Sequence, residues 1–152
     1  MRYLSILCGL LLLTSCARPV PKVTPLPEAQ QKAKPEITYV EFKNALSATE
    51  QDPNNPKDGD AGLAIGPFQI HHIYWADAIT FDTSLTNQPY EACRTYSYAS
   101  QVVDAYLWHY GSNAVIQNDW KTLARIHNGG PKGASKESTL SYWEKVKINL
   151  NP

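Results

Sequence analysis

The chain has 152 residues, with 14 basic and 14 acidic side chains. That length suits one domain, and the charge balance gives a polyanion nothing to bind, which excludes nucleic acid as an expected partner. Hydrophobic residues make up 43% of the sequence, with 4 Trp and 9 Tyr, enough for a packed core once the amino-terminal segment is set apart.

Residues 1–15 read as a lipoprotein signal peptide. Arg2 is the only charge before the apolar run Leu4–Leu13, which is too short to span a bilayer as a mature helix. The run closes on Leu13-Thr14-Ser15-Cys16-Ala17, which resembles the bacterial lipobox and implies lipidation of Cys16. The expected location is therefore the cell envelope, with the chain anchored to a membrane by lipid. Where the source has two membranes, Ala17 after Cys16 fits the outer one, facing the periplasm. Cys8 leaves with the signal, so Cys93 stays alone and no internal disulfide is expected; it reads as a small buried apolar residue. Residues 16–36 hold the lipidated cysteine and a tether with five prolines and no aromatic residue. In polyproline form, at roughly 3.1 Å per residue, it reaches on the order of 60 Å.

Residues 37–152 form the expected domain. Thr38 and Glu41 fit a capping box, the spacing from Tyr39 to Thr49 is helical, and Asp52-Pro53 is the expected stop, which leaves Glu50 at the helix end. A turn or short hairpin is expected within Lys57–Ile65. Gly66-Pro67 predicts the start of a second helix running to about Ala78, and Pro89 opens a longer third that Gly111 ends. Asp119 caps a fourth over Trp120–His127, closed by Asn128-Gly129-Gly130-Pro131, and a fifth follows Ser138. Strand signals are otherwise poor, so the domain is predominantly helical.

Glu50 and Asp60 differ in setting. A glutamate walled by aromatic residues at a helix end resists ionisation, whereas an aspartate on a polar loop stays charged. Two such carboxylates are the minimum for cleaving a glycosidic bond: one protonates the leaving oxygen and the other stabilises or attacks the oxocarbenium-like centre. Gln69 is placed either to donate a hydrogen bond into the cleft or to hold the Glu50 loop. Tyr74, Trp75, Trp120, Tyr142 and Trp143 read as core by default, with one or two free to stack on sugars. His71 and His72 are adjacent and face different sides of a helix, so they cannot share a metal in the usual way. There is no zinc motif, and no metal or cofactor is expected.

Four blocks carry a resemblance: Gly59-Asp60-Ala61-Gly62-Leu63-Ala64-Ile65-Gly66-Pro67-Phe68-Gln69-Ile70 after Glu50, Tyr74-Trp75-Ala76-Asp77, Ala124-Arg125-Ile126-His127-Asn128-Gly129-Gly130-Pro131, and Ser138–Val146. In order and spacing they are similar to the invertebrate-type (destabilase-like) lysozymes and their bacterial relatives. The resemblance implies a mainly α, lysozyme-like fold with at most a small β-hairpin or loop region beside the cleft. It further implies a monomeric glycoside hydrolase of lysozyme type acting on peptidoglycan glycan strands. Glu50 then matches the general acid and Asp60 the second carboxylate, with Asp58 as rival. Gln69, Tyr74, His127 and Asn128 are the expected substrate-side residues. The glutamate, glycine-rich loop and Gln-Ile also resemble the lytic transglycosylase pattern, so that reaction is the alternative on the same substrate. A non-catalytic glycan-binding lipoprotein is the alternative of another class. The chain departs from the animal members in lacking their cysteines.

Overall fold

The Thr38–Glu41 box closes as expected. The Glu41 amide donates to Thr38 Oγ1 (3.2 Å) and the Thr38 amide to Glu41 Oε2 (2.7 Å), opening helix α1, Tyr39–Glu50. The computed structural model describes residues 36–51 and 57–150. The signal peptide, Cys16, nearly all of the tether and the Asp52-Pro53 stop lie outside the described residues. Glu36, the last tether residue, already accepts a hydrogen bond from Asn118 Nδ2 (3.0 Å).

Beyond α1 the described residues are mainly helical, with one two-stranded antiparallel sheet among them. A 3-10 turn at Asp60–Gly62 leads into β1, Ala64–Ile65, which pairs with β2, Ile70–His71, in the register Ala64↔His71 and Ile65↔Ile70. Helix α2 spans His72–Phe81, α3 Tyr96–Ile116, α4 Trp120–Gly129 and α5 Leu140–Leu150. Asp119 caps α4 by accepting the Thr122 amide (3.1 Å), as predicted. The core gathers Phe42 and Leu46 of α1, Tyr74 and Ala78 of α2, Val102, Val103 and Leu107 of α3, Leu123 of α4 and Val146 of α5. No helix among the described residues is long and apolar enough to cross a membrane.

Four expectations about the elements need correction. Gly66-Pro67 does not start a helix: Gly66 and Gln69 both adopt positive φ (73° and 46°) and turn the chain from β1 to β2, so α2 begins at His72 and runs past Ala78 to Phe81. The hairpin accordingly extends to His71 rather than ending by Ile65. Pro89 precedes only a 3-10 turn, Tyr90–Arg94, before α3 restarts at Tyr96. Nor does Gly111 end α3. The helix kinks there and continues to Ile116, because α4 crosses so closely that a β-carbon at Gly111 would lie 3.0 Å from Leu123 and Ile126 side chains. Tertiary packing overrides the local stop signal.

Gly66 is the tightest backbone contact of the hairpin. A β-carbon there would lie 1.9 Å from the Cys93 carbonyl oxygen, at a φ that side chains disfavour. Gly66→Ala is expected to cost about 2–3 kcal/mol, by overpacking and by backbone strain, and urea unfolding of the two proteins measures it. Cys93 itself is fully buried, and burial pushes its thiol up to about 12, so it supplies no thiolate near neutral pH.

Candidate active site

Glu50 is the last residue of α1, and its side chain keeps only 19% of its accessible surface. His127 of α4 and Tyr142 of α5 wall it in. Burial is the largest influence on its carboxyl group and raises its pKa above the ordinary value, and the charge of Asp60 pushes the same way. The Tyr142 hydroxyl, Lys145 and His71 oppose the shift without reversing it. Tyr142 faces the carboxylate, but its buried hydroxyl makes no hydrogen bond of full geometry.

His127 is buried, and desolvation lowers its pKa to about 4, with a hydrogen bond to the Phe68 backbone working in the other direction. It is therefore a neutral imidazole near pH 7. Its Nε2 stands 3.6 Å from Glu50 Oε1, beyond hydrogen-bond range, and its Nδ1 lies 3.2 Å from the Tyr74 hydroxyl. A neutral histidine at that distance offers Glu50 no counter-charge, so nothing there undoes the effect of burial. Tyr74 holds this arrangement from below, its ring stacked on Tyr106 with centroids 3.6 Å apart. With one ring face taken by Tyr106, Tyr74 is a wall and a hydrogen-bonding group more than a free stacking platform.

Asp60 sits across the cleft on the 3-10 turn, with 68% of its side chain exposed. Its backbone and that of Ala61 are left-handed (φ 48° and 56°), a conformation that non-glycine residues hold only when the surroundings impose it. The turn is closed by the Gly62 amide donating to the Gly59 carbonyl (2.8 Å) and the Leu63 amide to the Asp60 carbonyl (3.2 Å), and two glutamines tie down the chain on either side of it. Gln51 Nε2 donates to the carbonyls of Lys57 (3.1 Å) and Gly66 (2.8 Å), and Gln69 Nε2 donates to the same two (3.0 and 2.9 Å). Gln51 immediately follows Glu50, so the loop bearing the second acid is fastened to the helix end bearing the first. Both amide hydrogens of Gln69 thus go to the loop, the second of its two expected roles.

His71 Nε2 lies 2.8 Å from Asp60 Oδ2. Asp58, the rival carboxylate, makes an ion pair with Arg94 that lowers its pKa, the hydrogen bond being the larger cause. The cleft encloses about 330 Å³ and is lined by Glu50, Asp60, Gln69, Tyr74, His127 and Asn128, together with Gly59, Ala64 and His71. The six residues predicted from sequence therefore share one concavity, and Asp58 does not line it. Sequence reasoning missed His71 and Tyr142. The first was weighed only as a metal ligand, and the second as core or as a surface for stacking on sugars, not as a group facing Glu50.

Residues 43–149 match the family model described as Destabilase. A lysozyme of Ostrea edulis is 42% identical over 86 residues, covering 56% of this chain and 59% of that protein. A lysozyme of Magallana gigas is 43% identical over 82 residues, covering 53% and 56%. Invertebrate-type lysozyme 6 of Caenorhabditis elegans is 30% identical over 105 residues, covering 65% and 76%. The chain thus spans less than two thirds of the length of the first two. Among solved structures, one chain of the crystal structure of Aeromonas hydrophila PliI in complex with Meretrix lusoria lysozyme is similar, with a TM-score of 0.58 and 26% identity, over 76% of this chain and 93% of that one.

Proposed function

The chain belongs to the destabilase family, and from that premise we propose that it is a muramidase-type peptidoglycan hydrolase cleaving the β-1,4 bond between N-acetylmuramic acid and N-acetylglucosamine. What supports this most is the cleft itself, where a buried carboxyl with a raised pKa and an exposed carboxylate line one open groove. The lysozyme names of its relatives agree with it.

Glu50, protonated, donates to the glycosidic oxygen as the bond to the anomeric carbon breaks. Asp60, held by His71, meets the positive charge that develops there, as nucleophile or as electrostatic stabiliser. Glu50, now ionised, takes a proton from the incoming water and returns to its starting state. Asn128 and the wall formed by Tyr74 and His127 contact the sugar from the other side. Mass analysis of fragments released from purified peptidoglycan tests the reaction: hydrolysis adds one water, and a product lighter by that water would assign the lytic transglycosylase reaction instead.

The same proposal places the chain in the cell envelope, held by lipid on Cys16, because a hydrolase on a proline-rich tether reaches the wall without diffusing away. Cys16→Ser should move the protein from the membrane fraction to the soluble fraction. A variant that stays in the membrane fraction would rule the anchor out.

A further inference from the structure

Among the described residues, one tryptophan takes no part in the core or in the cleft. Of the four tryptophans, Trp120 stacks on Phe42 (centroids 5.0 Å apart), Trp143 packs against the core, and Trp75 donates its indole N–H to the Tyr98 hydroxyl (2.9 Å). Trp108 does none of these. It is 49% exposed, and among the described residues its indole N–H has no acceptor.

Trp108 lies in a groove of about 550 Å³ with Phe81, Asp82, Gln101, Ala105 and His109. Gln101, Ala105 and Trp108 fall at helical spacing on one face of α3, and Phe81 and Asp82 come from the end of α2. The His109 ring lies flat on Phe81, with centroids 3.5 Å apart, so part of the groove is aromatic. Its polar groups are only partly used. Gln101 Nε2 donates to the Ser97 carbonyl (3.2 Å), leaving its amide oxygen as an acceptor. Asp82 Oδ1 accepts from both the amide and the hydroxyl of Ser84, leaving Oδ2. Asp104, also on the groove, is committed to Lys43 (2.8 Å). Among the described residues no Lys or Arg lines the groove, and the neighbouring Lys43 is taken by Asp104, so an anionic ligand would meet no uncommitted lysine or arginine. A half-exposed indole beside a free N–H donor and two acceptors instead suits a pyranose, which has an apolar C–H face and a rim of hydroxyls.

We propose that this groove is a second glycan-binding site, separate from the catalytic cleft, in which Trp108 stacks on a sugar of the polymer while Gln101 and Asp82 accept its hydroxyl hydrogens. Its ligand class rests on the peptidoglycan reading of the cleft. The ten-residue α2 begins beside the cleft wall at His71 and ends at the groove, about 15 Å away along the helix. A long glycan or a neighbouring strand can therefore reach the groove while another stretch occupies the cleft, whereas a short oligosaccharide bound in the cleft cannot.

The test measures binding of the full chain to purified insoluble peptidoglycan in a Glu50→Gln background, which keeps cleavage from eroding the signal. Trp108→Ala is expected to weaken binding on the order of tenfold, as truncating a central aromatic anchor does. Gln101→Ala should weaken it less, and Trp108→Phe should keep most of it. Carried by otherwise wild-type protein, Trp108→Ala should leave turnover of a short soluble oligosaccharide unchanged. Undiminished polymer binding by both Trp108→Ala and Gln101→Ala would overturn the site, as would an equal loss on the short oligosaccharide. So would binding that disappears at high salt, which points to charge recognition. If wild-type protein binds through Trp108 yet releases no fragments, the groove stands and the hydrolase reading falls.

Discussion

Glu50→Gln is expected to lower kcat on peptidoglycan by about 10²- to 10⁴-fold, the usual contribution of a positioned general acid, while leaving affinity for the polymer nearly unchanged. Glutamine has the same shape and keeps a polar group facing Tyr142 and His127, but it has no proton of suitable acidity to give. The acid must be protonated to act, and burial raises its pKa, so wild-type kcat/KM should fall as pH climbs through that raised value. His127 does not produce this alkaline limb, because at about 4 it has already lost its proton. Stability gives a readout independent of turnover. A carboxyl whose folded pKa is raised contributes stability that is fully present below its ordinary value of 4.5 and is lost as pH rises through the folded pKa. The neutral amide has no such loss. Tm of Glu50→Gln should therefore match wild type in acid and exceed it increasingly towards neutral pH. A variant that keeps its turnover, or a Tm difference that does not change with pH, would remove Glu50 from the acid's role.

Much of this was legible in the chain because the signals are local. Thr38 with Glu41, and Asp119 before Trp120, announce helix starts through hydrogen bonds that span only three residues. Glu50 could be placed at the end of α1 for the same reason. What surrounds it could not, since Tyr142 arrives from α5 and His127 from α4 only when the core closes. His71 shows the limit most sharply. Its adjacency to His72 directed attention to metal binding and hid its partner, which depends on the register that sets His71 opposite Ala64, next to the Asp60 turn. Positive φ at Asp60, Ala61 and Gln69 was equally invisible, because only glycine advertises that conformation in a sequence. The Gly66-Pro67 error has the same root: the pair favours a helix start locally, yet packing against the Cys93 carbonyl makes it a hairpin turn.

Asp60→Asn should reduce turnover nearly as far as the loss of Glu50, because residues that act on one transition state fail together and not additively. Asp58→Asn should keep most of the activity. The two aspartates are separated by one residue, but their surroundings differ in kind. Asp58 is neutralised by Arg94 and lies off the cleft, so its loss removes a tie on the loop. Asp60 projects into the cleft with its carboxylate held from one side by His71, and an amide there cannot offset the charge growing on the anomeric carbon. His71→Ala should fall between them, since Asp60 keeps its charge but loses the hydrogen bond that fixes its direction. Single-turnover rates on a soluble peptidoglycan fragment, with circular dichroism to confirm folding, order the three variants. If Asp58→Asn proves the dead one while Asp60→Asn turns over normally, the second carboxylate has been assigned to the wrong side of Gly59.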